Sequence, residues 1–278
     1  MAPVTYLEKI VAAHRARAAT DRRERHALFA QVDAAPAPRG FVDRLAGHKG
    51  LAVVAEIKRR SPSKGDIDPA LDPEAVAREY ASGGAACLSV LTDERFFGGS
   101  AQDLAAARGA CSLPVLRKDF IVSEADVCDA RVMGADAVLL IAGVLSDEEL
   151  GRFHALVHEL AMDALVEVYD EAELDRALAS GAELVGVNQR DLATFEVDTG
   201  RAARLAVSIP PEVLAVAESG VGGAEDARAL ADAGYQAVLV GDSLLRARDR
   251  REAVSVLDGH VVAPRADVEV SGRAGAQR

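Results

Sequence analysis

VMGADAVLL, residues 132–140, reads as the end of a helix, a glycine and then an apolar run of strand length, and the phrase recurs along the chain. SGGAACLSV at 82–90, ASGAELVGV at 179–187 and DAGYQAVLV at 232–240 repeat it about every 50 residues. Glycine suits the junction because the residue that closes a helix often takes a left-handed conformation, which Gly enters without strain. Counting the apolar runs between these phrases gives eight: Leu51 to Lys58, Ala85 to Leu91, Pro114 to Lys118, Ala135 to Ile141, Ala164 to Val168, Leu184 to Asn188, Val213 to Glu218 and Ala237 to Gly241. Ala-rich helical segments separate them. Strands that return through helices in this number match an α/β fold of the (β/α)8 TIM barrel type better than an open, doubly wound sheet.

The chain of 278 residues is half hydrophobic, enough for a sizeable core, and with no Trp and 4% aromatics that core must be built mainly from Ala, Val and Leu. We read residues 1–278 as a single barrel domain. A helical extension covers about 1–48, where Leu7, Ile10, Val11, Leu28 and Phe29 recur among Arg, Glu and Ala before AAPAPRG ends the helices. The tail from about 261 to 278 lacks apolar periodicity and is expected to fray.

A net charge of −12 argues against binding nucleic acid through its phosphate backbone, so an anionic substrate must be held by a local pocket. The longest apolar stretch, AVLLIAGVL from Ala137, falls far short of the roughly 20 residues that span a bilayer, and charges interrupt the N-terminus where a signal peptide needs an apolar core. Cys87, Cys111 and Cys128 are odd in number and show no CxxC spacing, which fits a reducing cytoplasm and indicates neither a disulfide framework nor a zinc site.

Several of the strands carry charge where burial makes it costly. Glu56 and Lys58 sit in LAVVAEIK, Lys118 in LPVLRK, Glu167 in ALVEV and Glu218 in VLAVAES. Any one of them could be a salt-bridged strand terminus, but five together point to a polar cavity at the strand ends, where lysines and carboxylates suit proton transfer. Asn188 and Arg190 in NQRDL and Ser61 in KRRSPSKG fall on the same face. A phosphate commonly sits between the loops after the seventh and eighth strands of such barrels, and there the sequence places SGVGG from Ser219 and GDSLL from Gly241. Glycine exposes backbone N–H groups that bind a dianion without many cations.

Seven segments resemble one family closely. AEIKRRSPSKG, LSVLTDERFFGGS, LPVLRKDFI, VEVYD, VGVNQRDL, AESGV and VLVGDSLL occur in the order and at the spacing of the indole-3-glycerol phosphate synthase family, and YLEKIV resembles its helical lid. The resemblance runs from the N-terminal helix to about Leu257. It implies a cofactor-free ring closure of 1-(2-carboxyphenylamino)-1-deoxyribulose 5-phosphate in tryptophan biosynthesis, with loss of carbon dioxide and then water. By the same resemblance Lys118 is the general acid on the ribulose carbonyl, Lys58 holds the substrate carboxylate and joins the proton transfers, and Glu167 serves dehydration. Glu56 and Asn188 orient the lysines and the substrate hydroxyls. Glu218 and Ser219 face the substrate; Ser61, Gly220, Gly241 and Asp242 surround the phosphate; Phe97, Phe120, Leu139 and Leu192 sandwich the aromatic ring. Arg190 joins the substrate-binding set. Association with other enzymes of that pathway is left open.

The sequence departs from the family pattern at Tyr169, where His is common, at Gln189, where Asn is common, and at Asp242, where Glu or Ser is common. Strand alternation turns Tyr169 and Gln189 away from the cavity, and Asp242 would have to turn its side chain away from the phosphate. No metal is expected. His154 and His158 have helical i,i+4 spacing but no third ligand, and Asp66, Asp68 and Asp72 lack the order of a calcium loop and fit helix capping instead. Three other functions stay open on the residues alone: a Schiff-base aldolase using Lys118 or Lys58, an isomerase acting on a related phosphoribosyl compound, and a silent phosphosugar-binding protein.

Overall fold

A computed structural model describes residues 5–61 and 64–265. Eight parallel strands close into a barrel: β1 (Ala52–Ile57), β2 (Cys87–Leu91), β3 (Val115–Lys118), β4 (Ala137–Ile141), β5 (Asp163–Val168), β6 (Leu184–Asn188), β7 (Leu214–Glu218) and β8 (Ala237–Val240). Each pairs with its neighbours in sequence, and β1 closes the ring on β8 in a register that sets Ala52 opposite Ala237 and Ala55 opposite Val240. The expected runs and these strands agree to within two residues at either end.

Alternation along each strand divides the core in two. Val53, Ala55 and Ile57 of β1 pack outward with Leu88, Val138, Val166 and Val185 against the surrounding helices. Ala52 and Val54 instead face inward with Leu116, Ala137, Leu165, Leu184, Val216 and Ala237. With a period of two, the inward set continues to Glu56 and Lys58 on β1, Lys118 on β3, Glu167 on β5, Asn188 on β6 and Glu218 on β7. The barrel interior is therefore apolar at the bottom and ionic at the top.

Before the barrel come α1 (Tyr6–Thr20), α2 (Arg25–Asp33) and α3 (Phe41–Ala46). α3 plugs the bottom, burying Phe41 and Leu45, and Asp163 Oδ2 accepts the N–H groups of Phe41 and Val42 at its first turn. α1 lies over the strand ends at the top. Thr5 and Glu8 form a capping box at its start, where orphan N–H groups need acceptors. Arg15 then makes a bidentate pair with Glu149, Arg17 reaches Asp126, and Tyr6 meets Phe96 and Phe195 edge-on at 5.9 and 5.5 Å.

Residues 261–265, expected to fray, are held against the barrel. Ala263 N–H donates to Ala231 O, and the Arg265 guanidinium takes the carbonyls of Gly234, Pro210 and Val213. An arginine that satisfies several carbonyls orders a segment without apolar periodicity. The rest of the expected tail lies outside the described residues.

Candidate active site

A cavity of about 570 Å³ opens at the top of the barrel, and every residue named above for catalysis or binding lines it. The volume lies within the range of small-molecule sites, roughly 300–1,000 Å³. Two lysines organise its floor. Lys118 Nζ lies 2.9 Å from Glu167 Oε2 and in hydrogen-bond contact with Glu218 Oε2, so one ammonium bridges β3, β5 and β7. Lys58 Nζ sits 2.7 Å from both Glu56 Oε1 and Asp242 Oδ1.

Burial alone would push the Lys118 ammonium toward neutrality, but the charges of Glu167 and Glu218 outweigh it and raise its pKa. Lys58 follows the same logic, with Glu56 and Asp242 overcoming burial. Both lysines therefore hold their protons at neutral pH. Glu218 moves up to about 8, chiefly through burial, with Lys118 opposing and Glu167 adding to the rise. A second carboxylate on the same buried ammonium favours the protonated form of Glu218.

The two ends of the cavity differ in chemistry. At one end Phe97 and Phe120 stand with ring centroids 6.3 Å apart, beside Leu139 and Leu192. At the other, the loops after β7 and β8 meet, joined by a hydrogen bond from Ser243 Oγ to Val221 O. Ser219 and Gly220 both adopt positive φ, 66° and 77°, turning this loop's backbone toward the cavity. A Cβ on Gly220 would lie 2.9 Å from Val197 Cγ1, and one on Gly241 would lie 2.5 Å from Glu56 Oε1 and 3.1 Å from Lys58 Nζ. Helix Asp242–Arg246 opens directly after Gly241, as expected from GDSLL.

The sequence model of indole-3-glycerol phosphate synthase matches residues 7–257. This chain belongs to that family. The synthase of Nocardioides sp. is 51% identical over 210 residues, covering 76% of this chain and 81% of that protein. The synthase of Mycobacterium avium is 46% identical over 263 residues, 92% of this chain and 95% of that one, and indole-3-glycerol phosphate synthase 2 of Streptomyces coelicolor is 50% identical over 226 residues, 81% and 87%. A solved thiamine phosphate pyrophosphorylase from Pyrococcus furiosus superposes with a TM-score of 0.56 at 17% identity, over 74% of this chain and 93% of that one; this likeness concerns the fold alone. Family membership makes the chain a decarboxylating lyase of tryptophan biosynthesis, acting on a phosphorylated small molecule.

Within this family framework the departures have distinct consequences. Tyr169 lies outside the cavity lining, its hydroxyl between Asp191 and Arg201. Gln189 is buried behind the β7 loop, donating to Ser219 O at 2.9 Å. Asp242 does line the cavity, and its carboxylate takes Lys58 and Lys64, each at 2.7 Å. Those lysines hold it to about pH 2 against the effect of burial.

Sequence reading missed several residues here. Lys64, in the SPSKG segment, joins Asp242, while Ser243 and Arg246 line the cavity where the loops after β7 and β8 meet. Gly186 is the least obvious: a Cβ there would lie 2.1 Å from Glu218 Oε1, so β6 has no side chain where β7 sends its carboxylate. Its inward parity, shared with Leu184 and Asn188, was a usable signal. His154 and His158 pair at 3.3 Å outside the cavity lining. Of the three aspartates expected to cap, Asp72 caps helix Pro73–Ser82, whereas Asp66 pairs with Arg60 and Asp68 accepts the Ala70 N–H in the preceding turn.

Among the described residues, no helix is long and apolar enough to cross a membrane.

Proposed function

We propose that this cavity closes the indole ring of 1-(2-carboxyphenylamino)-1-deoxyribulose 5-phosphate, with Lys118 as the general acid. The substrate has an aromatic carboxylate at one end and a phosphate at the other, complementary to the Phe97/Phe120 wall and the Gly220/Gly241 loops. As the ring carbon bearing the carboxylate attacks the ribulose carbonyl carbon, a C–C bond forms and charge builds on the carbonyl oxygen. Lys118, kept protonated by Glu167 and Glu218, gives that oxygen a proton, making it a hydroxyl. Lys58 holds the aromatic carboxylate until its C–C bond breaks and carbon dioxide leaves, the bonding pair returning to the ring. The hydroxyl then departs as water on taking a proton from Lys58, while a neighbouring C–H proton passes to Glu167 and its bonding pair forms the ring double bond. Asn188 and Glu56 orient substrate hydroxyls and lysines, and Arg190, Ser61 and Ser219 complete the binding surface. Asp242 orients Lys58 and, through Lys64, reaches the phosphate end.

The observation that carries this reading is the ammonium of Lys118 between two carboxylates. The same geometry weighs against a Schiff-base aldolase, because a lysine nucleophile must be neutral and both lysines here are held charged. The free cysteines Cys87, Cys111 and Cys128 support a reducing, cytoplasmic setting. We read residues 1–278 as one domain in which α1 packs over the strand ends beside the site without lining the cavity. The test is an indole fluorescence assay on the purified protein in chelator, with carbon dioxide measured in parallel. Equimolar indole product and carbon dioxide are expected; consumption of substrate without carbon dioxide would point to the isomerase, and borohydride trapping of substrate on a lysine would point to the aldolase.

A further inference from the structure

One buried titratable group at this site has no part in the mechanism above. His14, on α1, is 3% exposed; its Nε2 lies 2.8 Å from Asp93 Oδ2 and 3.9 Å from Asp119 Oδ1. Each aspartate fixes backbone at the aromatic end of the cavity. Asp93 Oδ1 accepts the N–H groups of Phe96 and Phe97, at 2.5 and 3.2 Å, and Asp119 Oδ1 accepts that of Phe120 at 2.8 Å. The imidazole itself packs on Phe120, with centroids 5.5 Å apart. Arg17 lies 3.2 Å from Nδ1, and since a guanidinium can only donate, this contact makes Nδ1 the acceptor and leaves Nε2 to carry the proton toward Asp93.

The three side chains could in principle ligate a metal, because their donor atoms lie within 4.8 Å of one another. Their hydrogen bonds argue otherwise. Asp119 Oδ2 already accepts from Thr92 Oγ1 at 2.6 Å and from Arg117 at 2.7 Å, and Arg117, 3% exposed, supplies a buried cation. A dication would have to displace these donors and sit beside a guanidinium. The cluster is better suited to fixing elements relative to one another: a helix from the N-terminal extension and the loops after β2 and β3.

We infer that His14 is a positioning residue that locks α1 onto the aromatic end of the cavity, setting Phe97 and Phe120 to grip the substrate's ring. The lock acts through two carboxylates, since His14 reaches both while each holds the backbone N–H of a ring-wall phenylalanine. Removing the imidazole leaves Asp93 Oδ2 without its donor and α1 without its deepest polar anchor, so the phenylalanine loops lose their common support. The phosphate end, built from the loops after β7 and β8, has no part in this network. The inference rests on the ring-closing reading, because it requires an aromatic substrate.

The test compares His14→Ala with His14→Gln, whose amide can still donate toward Asp93. For His14→Ala, KM for the carboxyphenylamino substrate should rise about tenfold, the order of one charge-assisted hydrogen bond, with kcat changed by less than about threefold. Inhibition by inorganic phosphate should be unchanged, and His14→Gln should bring KM back to within about threefold of wild type. Hydrogen exchange should quicken in α1 and at the Phe96, Phe97 and Phe120 amides in the Ala variant, and much less in the Gln variant. The inference is overturned if KM of His14→Ala stays within about twofold of wild type, or if both variants lose substrate and phosphate binding together. Should the wild-type protein form no indole product, the ring-closing reading fails on that result alone. The lock is then judged by exchange, and unchanged protection in His14→Ala overturns it.

Discussion

Gly186→Ala places one methyl group where the ionic floor of the cavity has no room for it. The new Cβ would lie 2.1 Å from Glu218 Oε1 and 3.2 Å from both Glu218 Cδ and Leu165 Cδ1. Ordinary contact requires the carboxylate to retreat by more than about 1 Å, and a misplacement of that size at a reacting centre can lower the rate about 100-fold. Glu218 cannot retreat freely, being 2% exposed and bonded to Lys118. Overpacking of this kind costs about 1–3 kcal/mol, which for a domain this large lowers Tm by about 2–6 °C. The assay is steady-state indole formation together with thermal melts of Gly186→Ala, Glu218→Ala and the double variant. With Glu218 shortened to Ala the added methyl gains space, so its stability penalty should largely vanish, a coupling of about 1–3 kcal/mol. Turnover within about threefold of wild type, or an equal Tm penalty in both backgrounds, would refute the steric argument.

At the phosphate end, Gly220→Val and Gly241→Val should each raise KM at least about tenfold and weaken inhibition by inorganic phosphate, because side chains there block approach to the backbone N–H groups while removing no charge. Unchanged KM and unchanged phosphate inhibition in both would move the anion site elsewhere. The raised pKa of Glu218 also predicts a pH dependence of stability. Burial lifts it from its ordinary 4.5 to about 8, so the folded protein keeps a proton that the unfolded chain loses near 4.5. The stabilisation from this group is complete below pH 4.5 and lost as pH rises through about 8. Glu218→Gln should flatten the decline of Tm across that window, and an equally steep decline in the variant would refute the assignment.

The barrel was legible because each glycine-led repeat ends a helix and begins a strand within a few residues, and because alternation then sorts inward from outward positions. Lys118, Glu167 and Glu218 stood out as charges on strands that must be buried on both faces. Their pairing was not legible, since the distance from β3 to β7 depends on barrel closure and stagger. Gly186 shows its inward parity in the sequence, but what its missing side chain makes room for is legible only once Glu218 is placed beside it. His14 was hidden for a related reason: on an Arg-rich amphipathic helix it reads as surface, and only the docking of α1 over the strand ends brings Asp93 and Asp119 to it. Asp242 was recognised as a departure, but its partners Lys58 and Lys64 lie on the far side of the sequence, joined to it by the β1–β8 pairing that closes the ring.

The central claim is that Lys118 delivers the proton for ring closure, and the most direct measurement is kcat for Lys118→Ala with the carboxyphenylamino substrate, alongside far-ultraviolet circular dichroism and phosphate inhibition as checks on fold and binding. The account predicts a fall in kcat of more than about 100-fold with the barrel intact and phosphate still competing, in keeping with the contribution of a positioned general acid. A variant that keeps more than about a tenth of wild-type turnover would contradict it.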